Sequence, residues 1–539
     1  MEQFLGFALP GIPYGCSFAI VAVGLVLTYQ ATGVFNFAFG AQAYASAFLF
    51  AWLVQDQHLA VWASFLLAVV VMAPLLGLAF DRFLFSKIPN TNNMAKVVTG
   101  LCLLVGIPSL LSVFLGSQNL YNPPNIIFNP GTVYFRFAGT PLNGIILSSM
   151  IVTAAVLILV VLLMQFTSLG LQMRGAVESR RLVQLDGVNA KRVVSVAWAV
   201  SSLLAGLAGV LLAPSYNQVS SEDFITLMVA AIAAAAIGVL RSMPIAAAAG
   251  VVMGVVELTL QGYLPTGGAW SVLYSAFLPS FPFVVLVIAL LFVPGLRRLE
   301  DERDPLASVD PPPPLTAAAS RAPQMDRIMR VMWYLVLAGF VASMLSWVPP
   351  AWETVFNEGL ALSTIFLSIT LITGMAGQLS LAQATLAGVG AFTAAQLAEH
   401  LGLSMLLGGL VGAALAAVVA VVLALLSLRL KGLGLALMTL AAALFFDNTV
   451  FAQTSISHGA GGLSLKRSWL GPWNLFAPNG HSYFVVAMVV LVVCALGIFL
   501  IQRGAVGSYL SAIRGSETGA SSLGINLTWQ KITVFALSG

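Results

Sequence analysis

The feature that most constrains this chain is the recurrence of long apolar runs with no charged side chain, of which Ile145–Met164 is one. Runs of about 20 such residues, coiled as helices, match the hydrocarbon thickness of a bilayer. In lipid the backbone must satisfy its own hydrogen bonds, so a spanning strand requires a closed barrel with alternating polarity. Ile145–Met164 does not alternate. Only 8% of the 539 residues are charged and 59% are hydrophobic, whereas soluble domains carry roughly a quarter charged. The fold class is therefore all-α, a polytopic transmembrane helix bundle.

Crossings are expected at 4–29, 36–54, 59–80, 96–116, 144–164, 193–213, 224–240, 245–263 and 278–293. A second set follows at 331–348, 354–373, 376–398, 404–428, 432–452 and 481–501, and a last one begins near Ile532. The bundle thus has about fifteen spanning helices. With the loop 165–192 placed inside, 20 of the 23 Lys and Arg residues fall on the inner side, leaving only Arg136, Lys466 and Arg467 outside. That asymmetry follows the positive-inside rule, so the net charge of +4 reflects topology and implies no nucleic acid. The acidic start, Met1-Glu2-Gln3, lacks a basic n-region, so the first apolar segment is expected to be retained. Cys16, Cys102 and Cys494 are scattered through apolar segments and form neither a disulfide framework nor a metal site. Localisation in the plasma (inner) membrane, multi-pass and surrounded by lipid, follows.

The stretch 294–330 breaks the pattern. It holds Glu300-Asp301-Glu302-Arg303-Asp304 and then Pro311 to Pro314, with no apolar face, and reads as a flexible cytoplasmic linker. The sequence beyond it repeats the sequence before it. Gly33-Val-Phe-Asn36-Phe-Ala-Phe-Gly40-Ala-Gln42 is answered by Gly377-Gln378-Leu-Ser380-Leu-Ala-Gln383, offset by 344. Gly170 to Arg174, followed by Gly187-Val-Asn189, is answered by Gly507 to Ser511, followed by Gly524-Ile-Asn526, offset by 337. Two pairs in the same order at nearly the same offset indicate duplication. The chain divides into a first half at 1–296, a linker at 297–330 and a second half at 331–539, the halves being two parallel repeats. The segment 331–348 supplies the extra crossing that returns the chain to the outside. Gly539 aligns with Ser202, so the second half is expected to be incomplete at its C-terminus.

Polar residues inside spans face a path or a partner helix. Asn36 and Gln42 on the first repeated segment, and Gln378, Ser380 and Gln383 on its counterpart, are candidates for a translocation path, with helix–helix adhesion as the alternative. Glu257 is the one carboxylate placed deep in a span; it faces a polar cavity or pairs with a neighbouring helix. The inner loop 165–192 carries Arg174, Glu178, Arg180, Arg181, Asp186, Gly187, Asn189, Lys191 and Arg192, with a short helix expected over 174–185. The loop 502–531 repeats the plan with Arg503, Arg514, Glu517, Gly524, Asn526 and Lys531. The shared Gly-x-Asn plan points to a docking element on a shared partner. The long outer loops 117–143 and 453–480, containing Asn119, Asn122, Asn125, Gly461 and Gly462, occupy matching places. His58, His400, His458 and His481 have no metal-ligand spacing, and there is no His-Glu-x-x-His, so a membrane enzyme is not indicated.

The opening, Gly24-Leu-Val-Leu-Thr-Tyr29 running into Gly33 to Gly40, resembles the H-type permease of bacterial branched-chain amino-acid importers, with Phe39 where that family has histidine. Gly374-Met-Ala-Gly377-Gln-Leu-Ser380-Leu-Ala-Gln383 and Lys431-Gly-Leu-Gly434-Leu-Ala-Leu-Met-Thr439 resemble the M-type permease, with Ala382-Gln383 in place of Gly-His. The resemblance implies a fused permease of an ABC importer moving branched-chain amino acids or a related small polar solute. It further implies two separate cytoplasmic ATPase subunits docked on the inner loops, and an external or periplasmic substrate-binding protein. The 539 residues contain no Gly-x-x-x-x-Gly-Lys-[Ser/Thr] loop, so no cofactor is expected on this chain and ATP is expected on the partners. The alternative is an ion-coupled secondary carrier, which would carry more ionisable residues within its spans.

Overall fold

The computed structural model describes residues 2–293 and 331–539, apart from 34, 89–92, 117–119, 130, 138–139, 179–186, 188, 217, 265–273, 275–276, 333–334, 337, 344–348, 429, 431, 459–462, 464–468, 471–472 and 475–481. The chain separates into two compact units, Met1–Leu299 and Glu300–Gly539. The expected linker at 297–330 lies outside the described residues.

In the first unit, α1 (Glu2–Ala8) and α2 (Gly11–Thr32) replace the single crossing expected at 4–29. The break falls at Pro10, which has no N–H to give to a continuous helix. After α2 come α3 (Phe39–Gln55), α4 (Val61–Lys87, with a π-helical stretch at Leu66–Met72) and α5 (Asn93–Leu115). A short antiparallel hairpin of β1 (Val133–Phe137) and β2 (Thr140–Asn143) then leads into α6 (Gly144–Phe166). The all-α reading contains no such hairpin, because hydropathy does not register strands in a connecting loop. The unit continues with α7 (Ser168–Glu178), α8 (Ala190–Leu212), α9 (Ser221–Ile237), α10 (Met243–Tyr263) and α11 (Phe281–Phe292).

Small residues decide which helix is central. A Cβ on Gly254 of α10 would lie 2.1 Å from the Gly15 nitrogen of α2, and one on Gly250 would lie 2.6 Å from the Ala19 nitrogen. Backbones this close gain dispersion and exclude lipid, the usual means of helix association in membranes. The apolar window of α2 is 89% buried and that of 191–215 is 78% buried, against 17% for 95–115 and 28% for α6. The first two therefore form the interior, while outer helices such as α5 and α6 turn Val113, Phe114, Leu159 and Leu162 outward, as a lipid-facing surface requires.

The second unit contains α12 (Pro350–Ile369), continued by a π-helical turn at Thr370–Met375, then α13 (Gln383–Leu401), α14 (Met405–Ser427) and α15 (Gly432–Phe445). It ends with α16 (Ser482–Arg503), α17 (Ala505–Gly515), α18 (Glu517–Ser522) and α19 (Leu527–Ser538). Helices α13 and α14 cross at Gly390 and Gly412, where a Cβ on Gly412 would lie 2.4 Å from the Gly390 oxygen. Leu386, Val389, Ala416, Ala420 and Leu423 fill that seam.

Among the described residues, ten helices are long and apolar enough to cross a membrane. The crossings expected at 36–54 and 376–398 begin late, at Phe39 and Gln383. In both places the leading residues leave the helix behind a left-handed glycine, Gly33 (φ +67°) or Gly377 (φ +68°). At 17 residues, α3 spans about 26 Å, slightly under the hydrocarbon thickness. The segment expected at 331–348 lies partly outside the described residues.

The duplication extends to individual element boundaries. At an offset of 344, Gly33 matches Gly377 and the residue before α3, Ala38, matches the residue before α13, Ala382. At an offset of 337, the end of α6, both ends of α7 and the start of α8 match those of α16, α17 and α19. Gly187 and Gly524 share φ +81°.

Candidate functional site

Two helix breaks hold the polar candidates. In the first, Asn36 is buried; its Oδ1 accepts the Ala38 N–H at 3.0 Å, which turns the chain into α3. Its Nδ2 has no partner. Gln42, one turn into α3, is fully buried, and neither its Nε2 nor its Oε1 is hydrogen-bonded. A buried polar atom without a partner costs about 1–3 kcal/mol.

The second break is more fully bonded. Gln383 Oε1 accepts the Ser368 hydroxyl at 2.9 Å, and its Nε2 reaches Ser380 Oγ at 3.4 Å. The Leu381 N–H donates to Thr439 Oγ1 at 3.0 Å, and the Thr373 hydroxyl donates to the Gln378 carbonyl at 3.1 Å. Gln378 Oε1 remains without a partner, although the residue is buried. Ser368, Thr373 and Thr439 were not among the residues singled out from sequence. The signal for Thr439 lay in the Gly-Leu-Gly-Leu-Ala-Leu-Met-Thr run; nothing local marks Ser368.

Glu257 does not join the amides. Its surroundings are Tyr14, Tyr216 and Asp223: burial pushes the Tyr216 phenol well above its ordinary range, with Tyr14, Asp223 and Glu257 adding to the shift. The Tyr14 and Tyr216 rings meet edge to face at 5.7 Å, and the Tyr14 hydroxyl donates to the Ser215 carbonyl at 3.3 Å. Tyr14 lies near the start of α2 and Asn36 beyond its end, so the two groups are about 28 Å apart along that helix. Glu257 and the first break belong to opposite ends of the unit.

In each repeated segment, 165–192 and 502–531, one helix ends and another restarts. Helix α7 starts at Ser168, six residues before the short helix expected at 174–185, because Thr167 is extended and its hydroxyl accepts the Gly170 N–H. Residues 179–186 lie outside the described set. Asn189 Oδ1 accepts the Arg192 N–H at 3.3 Å, and Asn526 Oδ1 accepts the Trp529 N–H at 3.1 Å. The Gly-x-Asn plan is thus a left-handed turn followed by an N-cap, a device for restarting a helix. Arg174 is exposed, and its Nε donates to the Gly170 carbonyl in its own helix at 3.4 Å. Glu178 ends α7, and its side chain lies outside the described set. Glu517 pairs with Lys531 at 2.7 Å, and Arg514 donates to the Gly374 carbonyl. In the loop 117–143, Asn125 is buried and fastens the loop to α6 through Gly144 O at 3.1 Å and Ser148 Oγ at 3.0 Å. Asn119, Gly461 and Gly462 lie outside the described residues.

The family described as "Branched-chain amino acid transport system / permease component" matches residues 8–293 and again residues 352–539. The chain belongs to this family. The double match makes it a tandem of permease repeats within one membrane protein. The high-affinity branched-chain amino acid transport system permease protein LivH of Salmonella typhimurium is 25% identical over 320 residues, covering 56% of this chain and 99% of that protein. BraD of Pseudomonas aeruginosa, described in the same terms, is 23% identical over 56% of this chain and 98% of its own length. A probable branched-chain amino acid transport permease protein LivH of Methanocaldococcus jannaschii is 26% identical over 52% of this chain and 89% of its own. Among solved structures, PsaBC from Streptococcus pneumoniae in complex with Fab aligns with a TM-score of 0.34 at 16% identity, over 56% of this chain and 95% of that one.

Proposed function

We propose that this chain supplies both permease halves of an ATP-driven importer of branched-chain amino acids, or of a closely related small polar solute. The observation that carries the reading is the double match to one permease family, repeated in the coincident helix boundaries of the two units. Two separate ATPase subunits dock on the inner segments 165–192 and 502–531, and an external substrate-binding protein delivers the solute. ATP is bound on those partners. Asn36 and Gln42 at the first break, Gln378, Ser380 and Gln383 at the second, and Glu257 at the far end of the first unit line the path. The orphaned amide atoms of Asn36, Gln42 and Gln378 support this assignment, since a passing solute would satisfy them. The exposed Arg174, with Glu178 and Glu517, offers the docking surface, and Gly187, Asn189, Gly524 and Asn526 shape it, while Arg514 of the second segment is turned back to the Gly374 carbonyl.

The test is co-purification. The chain extracted from its own membranes should carry an ATPase subunit, and removal of residues 168–178 should release it while the remaining chain stays in the membrane. An ATPase retained at the wild-type level after that deletion contradicts docking on the first segment.

A further inference from the structure

The two inner segments have one feature in common. Each has an apolar anchor at the same repeat position: Met173 on α7 and Leu510 on α17 are both 1% exposed. Leu510 packs in one cluster with Leu371, Ile372 and Ala376, the residues leading into the second break, and with Val534 and Phe535 of α19. One turn beyond the anchor the units diverge. The second unit has Arg514, where the first has Val177 at the same offset of 337.

Arg514 reaches 140 residues back along the chain to donate to the Gly374 carbonyl. That carbonyl belongs to the π-helical turn Thr370–Met375, just before the chain leaves the helix at Gly377. Carbonyls at a helix end have no partner within the helix, and a guanidinium supplies a charge-assisted one. The stem of Arg514 also lies over Gly377, where a Cβ would come 3.0 Å from Arg514 Cγ. In the first unit the position equivalent to Gly374 is Gln30, at the offset of 344, and its side chain donates to the Arg241 carbonyl, in the turn before α10. There Gln30 ties the lip of the break to another connection of the unit.

Beside the latch, Lys531 pairs with Glu517 of α18 and lines a small cavity together with Gln378, Ser427 and Phe535. Gln378, whose Oε1 is without a partner, thus lines the same cavity as a cation already paired to the inner segment.

We propose that Arg514 is a positioning residue that transmits movement of the inner segment 505–522 to the helix break 376–382 of the second unit. The proposal rests on the ATP-driven importer reading, in which the inner segments carry the ATPases. The anchor Leu510 holds the segment in place; Arg514 makes the lip of the break follow it. Loss of one charge-assisted hydrogen bond changes the balance between two positions of the break by about tenfold or more.

The experiment uses the full chain with the ATPase subunits and binding protein of its transport system in proteoliposomes. Two quantities are measured: leucine taken up per ATP hydrolysed, and the rate at which Gln378→Cys is labelled by a thiol reagent with and without ATP and vanadate. The labelling background lacks Cys16, Cys102 and Cys494. Arg514→Met keeps the stem over Gly377 and removes only the donor. It should retain the ATPase and its hydrolysis, lower uptake per ATP about tenfold, and abolish the ATP-dependent change in labelling, with Arg514→Lys recovering part of both. Unchanged uptake per ATP and unchanged labelling response in Arg514→Met overturn the proposal. If Arg514→Met and Arg514→Gln both fail to reach the membrane while Arg514→Lys does so, the bond is structural and the coupling role is likewise rejected. Failure of the wild-type complex to take up leucine, the other branched-chain amino acids or any small polar relative with ATP refutes the importer reading instead, whatever Arg514 does.

Discussion

The same substitution at two buried glutamines should act in opposite directions on stability. Gln42 has both amide atoms buried without a partner, whereas Gln383 is bonded through both, to Ser368 and Ser380. Leucine is close to glutamine in volume and presents no polar atom. Gln42→Leu removes an unsatisfied amide whose burial costs about 1–3 kcal/mol, so the first unit gains on the order of 2 kcal/mol. Gln383→Leu breaks two hydrogen bonds worth about 1 kcal/mol each and leaves the Ser380 hydroxyl short of a donor, a loss of about 2 kcal/mol. At roughly 2–4 °C per kcal/mol for domains of a few hundred residues, the midpoints should move about 4–8 °C apart from wild type in opposite senses. Thermal unfolding of the purified protein in one detergent, followed by tryptophan fluorescence, measures both. If the amides serve the path, each variant also loses uptake, so Gln42→Leu becomes more stable and less active together, a trade expected of functional sites. A lowered midpoint for Gln42→Leu, or a raised one with uptake unchanged, refutes the reasoning.

Gly254→Ala should lower the midpoint, because its methyl carbon would sit 2.1 Å from the Gly15 nitrogen and force apart the backbones of α2 and α10; overpacking of this kind costs about 1–3 kcal/mol, read by the same thermal assay. For topology, Arg174→Cys and Ser508→Cys should both be protected from an impermeant thiol reagent in intact cells and react after permeabilisation. Labelling of either from outside contradicts the orientation drawn from the charges.

Much of the helical layout is legible in the apolar runs, because in lipid the run itself dictates a helix. The failures occur where backbone geometry overrides hydropathy. Ala376 to Ala382 reads Ala-Gly-Gln-Leu-Ser-Leu-Ala, as apolar as the helix it precedes, and only the left-handed Gly377 reveals that the chain has left the helix. The first break carries plainer marks, Gly33 and Asn36, yet the crossing expected at 36–54 runs into it as well. Pro10 divides the first crossing by withholding one N–H, which a hydropathy average does not register. The β1–β2 hairpin depends on pairing such as Phe135 with Leu142 rather than on composition. In the repeated segments 165–192 and 502–531, the Gly-x-Asn plan is visible in the sequence, but the role of Asn189 as a cap emerges only with the bond from Arg192. The link from Arg514 to Gly374 joins residues 140 positions apart and has no local signature. The displacement of Glu257 from the other polar candidates likewise follows from the packing of α10 against the start of α2.

The central claim is that this tandem permease moves its solute at the expense of ATP bound on separate subunits. Leucine uptake into proteoliposomes tests it most directly, with the chain assembled with ATPase and binding protein and energised either by ATP or by an imposed ion gradient alone. The account predicts uptake with ATP that disappears when either partner is withheld, and none with the gradient. Saturable uptake by the chain alone, driven by a proton or sodium gradient and indifferent to ATP, would contradict it and establish a secondary carrier.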